Sequence, residues 1–341
     1  MKLLTIAMAC AAWLGIATAV GPAHAETYKP EYKLSSVLGK PFPWGIAAER
    51  WAELVTERTQ GRITVRVFPG ASLVGGNQYS EFTALRQGAI DFCVSGTNNW
   101  SSQIKQLSLF ALPFLLPDSA AQDALTSGEV GAEIFRLIEK KGAIPLAWGD
   151  NGFREVSNSK HPIRVPADLK GLKIRVVGSP MVLDTFAALG ANPTQMSWAD
   201  TQPALATGAV DGLESPVPIF LNAKLHTVSQ KYLTLWGYTA SPLIFAVNRD
   251  IWNGWSAADR EIVRAAAIEA ARENVLLARK GLEAPDDTML RELAAAGVEV
   301  VRLTTEERKV FRQAAQSVYD KWTDSIGADL VHKAEAAVAR K

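Results

Sequence analysis

Arg154 and Arg175 stand 21 residues apart, the first in Asn151-Gly-Phe-Arg154 and the second in Leu172-Lys-Ile-Arg175-Val-Val-Gly178-Ser179-Pro180. A guanidinium is a planar fork of N–H donors that fits a carboxylate in both shape and charge, which an ammonium does not. The second arginine ends an apolar strand just before a helix start, with Ser179 as a natural N-cap and Pro180 as a natural first helical residue. Free backbone N–H groups and the positive end of the helix dipole are then expected beside the guanidinium. The chemistry that suits this pattern is reversible capture of an anion, a carboxylate above all. Most single arginines at strand ends pair with surface acids in solvent, so the case rests on what surrounds these two.

Motifs for turnover are missing. There is no Gly-x-Ser-x-Gly elbow, no Gly-x-Gly-x-x-Gly fingerprint and no Walker loop. His161, His226 and His332 lack metal-like spacing, and no nucleophile is paired with a base. The expectation is a binding protein, not an enzyme, with neither cofactor nor metal. Trp44, just after Pro41-Phe-Pro43, and Gln78, beyond Gly75-Gly76-Asn77, lie at loop-to-helix junctions where a ligand cleft would open. Asn98 and Trp100 follow the strand that contains Cys93 and are expected to reach the same place.

The first residues set the compartment. Lys2 precedes an apolar run from Leu3 to Val20, and Ala23-His24-Ala25 gives the small-x-small pattern of a cleaved leader. The expected mature chain starts at Glu26, exported after cleavage behind Ala25. Of 36 basic and 35 acidic residues the leader removes only Lys2, leaving 35 against 35 and a formal charge of zero. A neutral surface argues against nucleic acid as a partner, because that binding rests on neutralising phosphates. Cys93 becomes the only cysteine, so no intrachain disulfide holds the fold and a buried core must do so. The remaining 316 residues, 341 less 25, suffice for two lobes.

Strands and helices alternate throughout. Strands are expected at Tyr32 to Val37, Gly61 to Phe68, Gly88 to Val94, Ile144 to Trp148, Phe153 to Ser157, Lys173 to Val177, Tyr232 to Leu235, Leu243 to Asn248 and Val298 to Leu303. Helices are expected at Trp44 to Thr59, Gln78 to Gln87, Ser119 to Lys141, Pro180 to Leu189 and Ala199 to Thr207. A long Ala-rich helix starts at Ser256, runs to about Lys280 and is interrupted by Pro285, with two more helices flanking the last strand. The pattern is α/β with mostly parallel strands. Gly149-Asp-Asn-Gly152 marks a first crossing between lobes, and Tyr238 to Pro242 a return. Lobe I is then expected over 26–150 plus about 241–280. Lobe II takes 151–240 plus about 281–341, with the C-terminal helices packing across both. A chain that crosses more than once closes by bending at a hinge, with its ligand in the cleft.

The order and spacing of several segments resemble one family. They are Gly61-Arg-Ile-Thr-Val-Arg-Val-Phe-Pro69, Gln87-Gly-Ala-Ile-Asp91, Leu112-Pro-Phe-Leu115, Asn151-Gly-Phe-Arg154, Gly171-Leu-Lys-Ile-Arg175, Ala204-Leu-Ala-Thr-Gly-Ala-Val-Asp-Gly212 and Gln230-Lys-Tyr-Leu233. Over nearly the whole mature length the chain resembles solute-binding proteins of the tripartite ATP-independent periplasmic (TRAP) transporters, of the dicarboxylate-binding type. The resemblance implies a two-lobed periplasmic binding fold, with a central mixed sheet in each lobe, a hinge and an interlobe ligand cleft.

It also implies roles. Arg175 occupies the place of the family's carboxylate-gripping arginine, and Arg154 that of a second basic contact. The family's Asp-Gly-x-Glu-Asn-Pro motif reads Asp211-Gly-Leu-Glu214-Ser215-Pro216 here, so Ser215 stands where an Asn usually meets the carboxylate. A hydroxyl reaches less far and offers one donor where an amide offers two. Trp198 falls where relatives set an apolar wall, and Tyr238 where some place a polar contact. The expected ligand is a compact monocarboxylate, a 2-oxo or 2-hydroxy acid. The expected partners are the small and large TRAP membrane subunits, and the protein itself is expected to be a monomer. A sensor kinase as recipient, or a C4-dicarboxylate or sugar acid as ligand, are the alternatives.

Overall fold

A computed structural model describes residues 28–340, so the expected leader and its cleavage site lie outside the described residues. The strands are β1 (Tyr32–Ser36), β2 (Val65–Phe68), β3 (Phe92–Gly96), β4 (Ala143–Asn158), β5 (Lys173–Val176), β6 (Asn192–Gln195), β7 (Gly212–Pro216), β8 (Tyr232–Asn248) and β9 (Glu299–Arg302). Their order is β2-β1-β3-β8-β4-β7-β5-β6, with β9 beside β8.

Two strands hold the frame together. β4 has 16 residues and β8 has 17, and they run antiparallel through both lobes. The first half of β4 and the second half of β8 continue into β3, β1 and β2. Their other halves carry β7, β5 and β6 on one edge and β9 on the other. Each lobe thus has a mixed sheet, and the two share their central strands. Pairs away from the centre are parallel, whereas β3–β8, β4–β8 and β4–β7 are antiparallel.

The residues expected at the crossings therefore lie inside strands. Gly149, Asp150, Asn151 and Gly152 read as a turn, but the ladder passes through them with register shifts, one between Asp150 and Phe153. Gly152 takes a left-handed φ of +93°, which a residue with a Cβ rarely adopts. The Asp150 carboxylate accepts the Gly152 N–H at 2.7 Å, and Asn274 accepts the Asp150 N–H at 2.6 Å. These two side chains replace ladder bonds lost at the bulge, so the strand does not end there.

Other differences have local causes. The helix expected from Ser119 to Lys141 is two, Ser119–Ser127 and Glu129–Lys140, because Gly128 is extended and serves as the N-cap of the second. Asn192–Gln195 and Gly212–Pro216 are short strands that the sequence reading did not include. β9 follows one helix, Thr288–Ala295, and precedes three, the last two being Gln316–Ile326 and Ala328–Ala339. Helix Gln316–Ile326 meets both sides of the molecule: Gln106 donates to the Ile326 carbonyl, while Lys321 and Trp322 donate to Asp184. The long helix Ala257–Arg279 is capped by Ser256, whose hydroxyl accepts the Asp259 N–H, and it packs against helix Pro43–Arg58 and β4. No described helix is long and apolar enough to cross a membrane.

Candidate functional site

β5 places Arg175 at the mouth of its helix Pro180–Ala188, as the strand–helix pattern predicts. The details differ. Ser179 is the N-cap residue, but its hydroxyl makes no capping bond and has no partner among the described residues. The strand end just before the cap is itself bonded: Val177 N–H donates to Glu214 at 2.8 Å, and Gly178 N–H to the Tyr79 hydroxyl at 2.8 Å. What faces the cavity is the guanidinium. Arg175 is 2% exposed, and its Nε and Nη2 both donate to the Met196 carbonyl at 3.1 and 2.7 Å. No carboxylate among the described residues forms an ion pair with it. Burial lowers its pKa, with only partial compensation from Tyr79 and Glu214.

Arg154 is held differently. Its Nε and Nη2 bond to the Glu214 carboxylate, and Nη2 also reaches the Glu214 carbonyl at 3.0 Å. Burial pulls the Arg154 pKa down, but Glu214 more than offsets this and leaves it above the usual value. The β4–β7 register puts Arg154 opposite Pro216 and Glu155 opposite Ser215, and Arg154, Arg175 and Ser215 all line one cavity. Glu214 itself is fully buried. One arginine is neutralised from within, and the other is not.

The two arginines, Ser215 and Trp198 face Trp44, Gln78 and Asn98 across a cavity of about 410 Å³, counted out to its mouth. The Trp44 indole donates to the Val94 carbonyl at 2.9 Å, which fixes its ring against Gly96. Gln78 donates to Asn99 at 2.8 Å and accepts the Trp198 N–H at 2.9 Å. Asn98 is 2% exposed, yet neither its Nδ2 nor its Oδ1 has a partner among the described residues. A buried amide unpaired at both ends marks a place where something else bonds.

Two expected contacts are elsewhere. Trp100 lies two residues beyond Asn98 in helix Thr97–Trp100, roughly 200° around the axis. It therefore points into the core and packs on Phe82, with ring centroids 4.9 Å apart. Tyr238 is fully buried among Trp236, Phe186 and Phe114, and its hydroxyl donates to Glu214 at 3.1 Å. It supports the residue that holds Arg154 and does not line the cavity. Asn99, Asn151 and Ser241 do line it and were not singled out. Adjacency to Asn98 and membership of the Asn151-Gly-Phe-Arg154 motif were the available signals for the first two.

A polar chain leads inward from Asn99. Asn99 donates to Ser95 at 3.2 Å, and Ser95 and Ser35 donate to the Glu81 carboxylate at 3.1 and 2.7 Å. Burial pushes the Glu81 pKa up to about 7, against the lowering effect of those two hydroxyls. Glu155 is likewise raised by burial to about 7, although it accepts the Trp236 and Gly237 N–H groups. Both carboxyls bind a proton more tightly folded than unfolded, where a glutamate titrates near ~4.3. Their contribution to stability is thus complete below that value and is lost as pH rises through about 7. Thermal unfolding at pH 5.5 and pH 8 should show the protein more stable at the lower pH. Glu81→Gln, which keeps the shape without the charge, should remove about half of that difference. An unchanged difference would show that Glu81 does not titrate in this window.

A two-lobed α/β frame with an arginine-lined cavity between its lobes defines a periplasmic binding protein. Residues 34–325 match the family of bacterial extracellular solute-binding proteins, family 7, and the chain belongs to this family, the solute-binding proteins of TRAP transporters. It is 35% identical over 289 residues to the 2,3-diketo-L-gulonate-binding periplasmic protein of Escherichia coli K12, covering 84% of this chain and 85% of that one. With the C4-dicarboxylate-binding periplasmic protein of Rhodobacter capsulatus it shares 30% identity over 309 residues, 90% of each chain. Among solved structures, a TRAP periplasmic solute-binding protein from Ralstonia eutropha H16 with bound (S)-2-acetolactate is 59% identical. It superposes with a TM-score of 0.91 over 92% of this chain and 100% of that one.

Proposed function

We propose that the protein captures a compact monocarboxylate, a branched 2-hydroxy or 2-oxo acid, and delivers it to the small and large TRAP membrane subunits. The observation that carries this reading is Arg175, a buried guanidinium with no acidic partner among the described residues, beside a small cavity. A buried cation is costly until an anion joins it, and a ligand carboxylate supplies that anion. Arg154 and Ser215 complete the polar wall, Asn98 offers a donor and an acceptor to groups next to the carboxylate, and Trp198, Trp44 and Ile219 enclose the body.

The relative with bound (S)-2-acetolactate supports this ligand class. That molecule has one carboxylate, a hydroxyl, a ketone and two methyl groups, which suits one unpaired arginine, one unpaired amide and an aromatic wall. A C4-dicarboxylate would bring a second anionic group, and Glu214 already neutralises Arg154. In the same reading, the lobe boundaries fall near 150/151 and 240/241, inside β4 and β8, and the exported chain begins after Ala25.

A thermal-shift series tests the choice. At about 100 times its dissociation constant a ligand adds about 2.7 kcal/mol of stability. (S)-2-Acetolactate and related 2-hydroxy acids should therefore raise Tm by several degrees, while succinate and galactonate leave it unchanged. A shift with succinate or a sugar acid alone would overturn the ligand class.

A further inference from the structure

We infer that Tyr79 is a latch across the cleft, a positioning residue that holds the lobes closed and ties closure to the arginine that grips the ligand. The inference rests on the capture reading above and adds to it how release is controlled.

Tyr79 sits in the short turn Gln78–Ser80, where Asn77 accepts its N–H at 3.2 Å. The turn is anchored on the side of β3: Gln103 donates to the Tyr79 carbonyl at 3.2 Å, and Gln78 donates to Asn99. From there the phenol crosses to the side of β5 and β6. Its hydroxyl donates to the Met196 carbonyl at 3.0 Å and accepts the Gly178 N–H at 2.8 Å. Gln78 adds a third crossing bond, accepting the Trp198 N–H. Two adjacent residues thus supply three hydrogen bonds between halves of the molecule that β4, β8 and helix Gln316–Ile326 also join.

Gly178 shows that this contact is built in. Its backbone needs no left-handed φ, so conformational freedom does not explain the glycine. A Cβ there would lie 2.2 Å from the Tyr79 ring. The missing side chain is the space into which the ring closes. Met196 is the junction, because its carbonyl takes the Tyr79 hydroxyl and both the Nε and Nη2 of Arg175. The orientation of the gripping guanidinium and the seating of the latch therefore share one acceptor. On opening, all five latch groups can turn to water, so each bond has only a modest net worth. A clasp for reversible closure needs that modesty.

Bonds formed only after closure act on dissociation. Tyr79→Phe keeps the ring but loses both hydroxyl bonds, and should raise the off-rate for (S)-2-acetolactate about tenfold while the on-rate changes less than about threefold. Ligand-free Tm should fall by no more than a few degrees, since each latch bond has only a modest net worth. Gly178→Ala should have a similar effect alone and none in a Tyr79→Ala background, since the two residues form a single contact. Unchanged off-rates in Tyr79→Phe, with binding intact, would overturn the latch and leave the capture reading standing. If the wild type bound no acid, the capture reading would fall, and amide hydrogen exchange would still decide the latch. The ligand-free Gly178 amide should exchange faster in Tyr79→Phe than in wild type, and equal rates would refute the latch.

Discussion

Arg175→Ala should abolish measurable acid binding while leaving the ligand-free melting temperature within a few degrees of wild type. The guanidinium is buried and unpaired with any carboxylate, so the folded protein gains little from its charge without ligand. Removing the charge relieves desolvation, against the loss of two bonds to the Met196 carbonyl. With ligand the balance reverses. A carboxylate left in the closed cavity without its partner costs about 2–5 kcal/mol, or roughly 30- to several-thousand-fold in affinity. Titration calorimetry and thermal unfolding on one sample measure both halves. Wild-type affinity in the variant would remove the central assignment, and a collapse of ligand-free stability would mean that the arginine is structural.

Glu214→Ala should do the opposite and damage the fold first. Glu214 receives Arg154, the Tyr238 hydroxyl and the Val177 N–H, all buried. Deleting it strands a buried guanidinium at a cost of about 3–5 kcal/mol. Replacing both partners by apolar residues, Arg154→Met with Glu214→Leu, should lose less than Glu214→Ala alone, since no charge is then left unpaired. Urea unfolding orders the three proteins. If the single variant proved as stable as wild type, Arg154 would have another counter-anion. Acid binding by Glu214→Ala should also fall, because Val177 leads directly into Gly178 beside Arg175.

The class and most of the cavity wall were legible in the chain because the key residues lie in short local motifs. Arg175 sits at a strand-to-helix step, Arg154 in Asn151-Gly-Phe-Arg154 and Ser215 in Asp211-Gly-Leu-Glu-Ser215-Pro216, and each motif carries its own geometry. The hidden part was pairing between distant segments. Glu214 and Arg154 are 60 positions apart, and no local pattern announces that one neutralises the other. Trp100 and Tyr238 were misplaced because side-chain direction depends on where a helix turns or which face of a strand is inward. The glycines at 149 and 152 signal a break in sequence, whereas the long helix repairs it with Asn274. Tyr79 left no trace, since its meaning depends on Gly178, 99 positions away.

Because β4 and β8 pass uninterrupted between the lobes, opening must flex a paired ribbon and cannot swing on a slack tether. The irregularities between Asp150 and Phe153 and between Arg154 and Val156 are its softest points. Arg154 lies between them. A side chain that borders the cargo is thus mounted on the flexure itself, so bending the spring tilts one wall of the container.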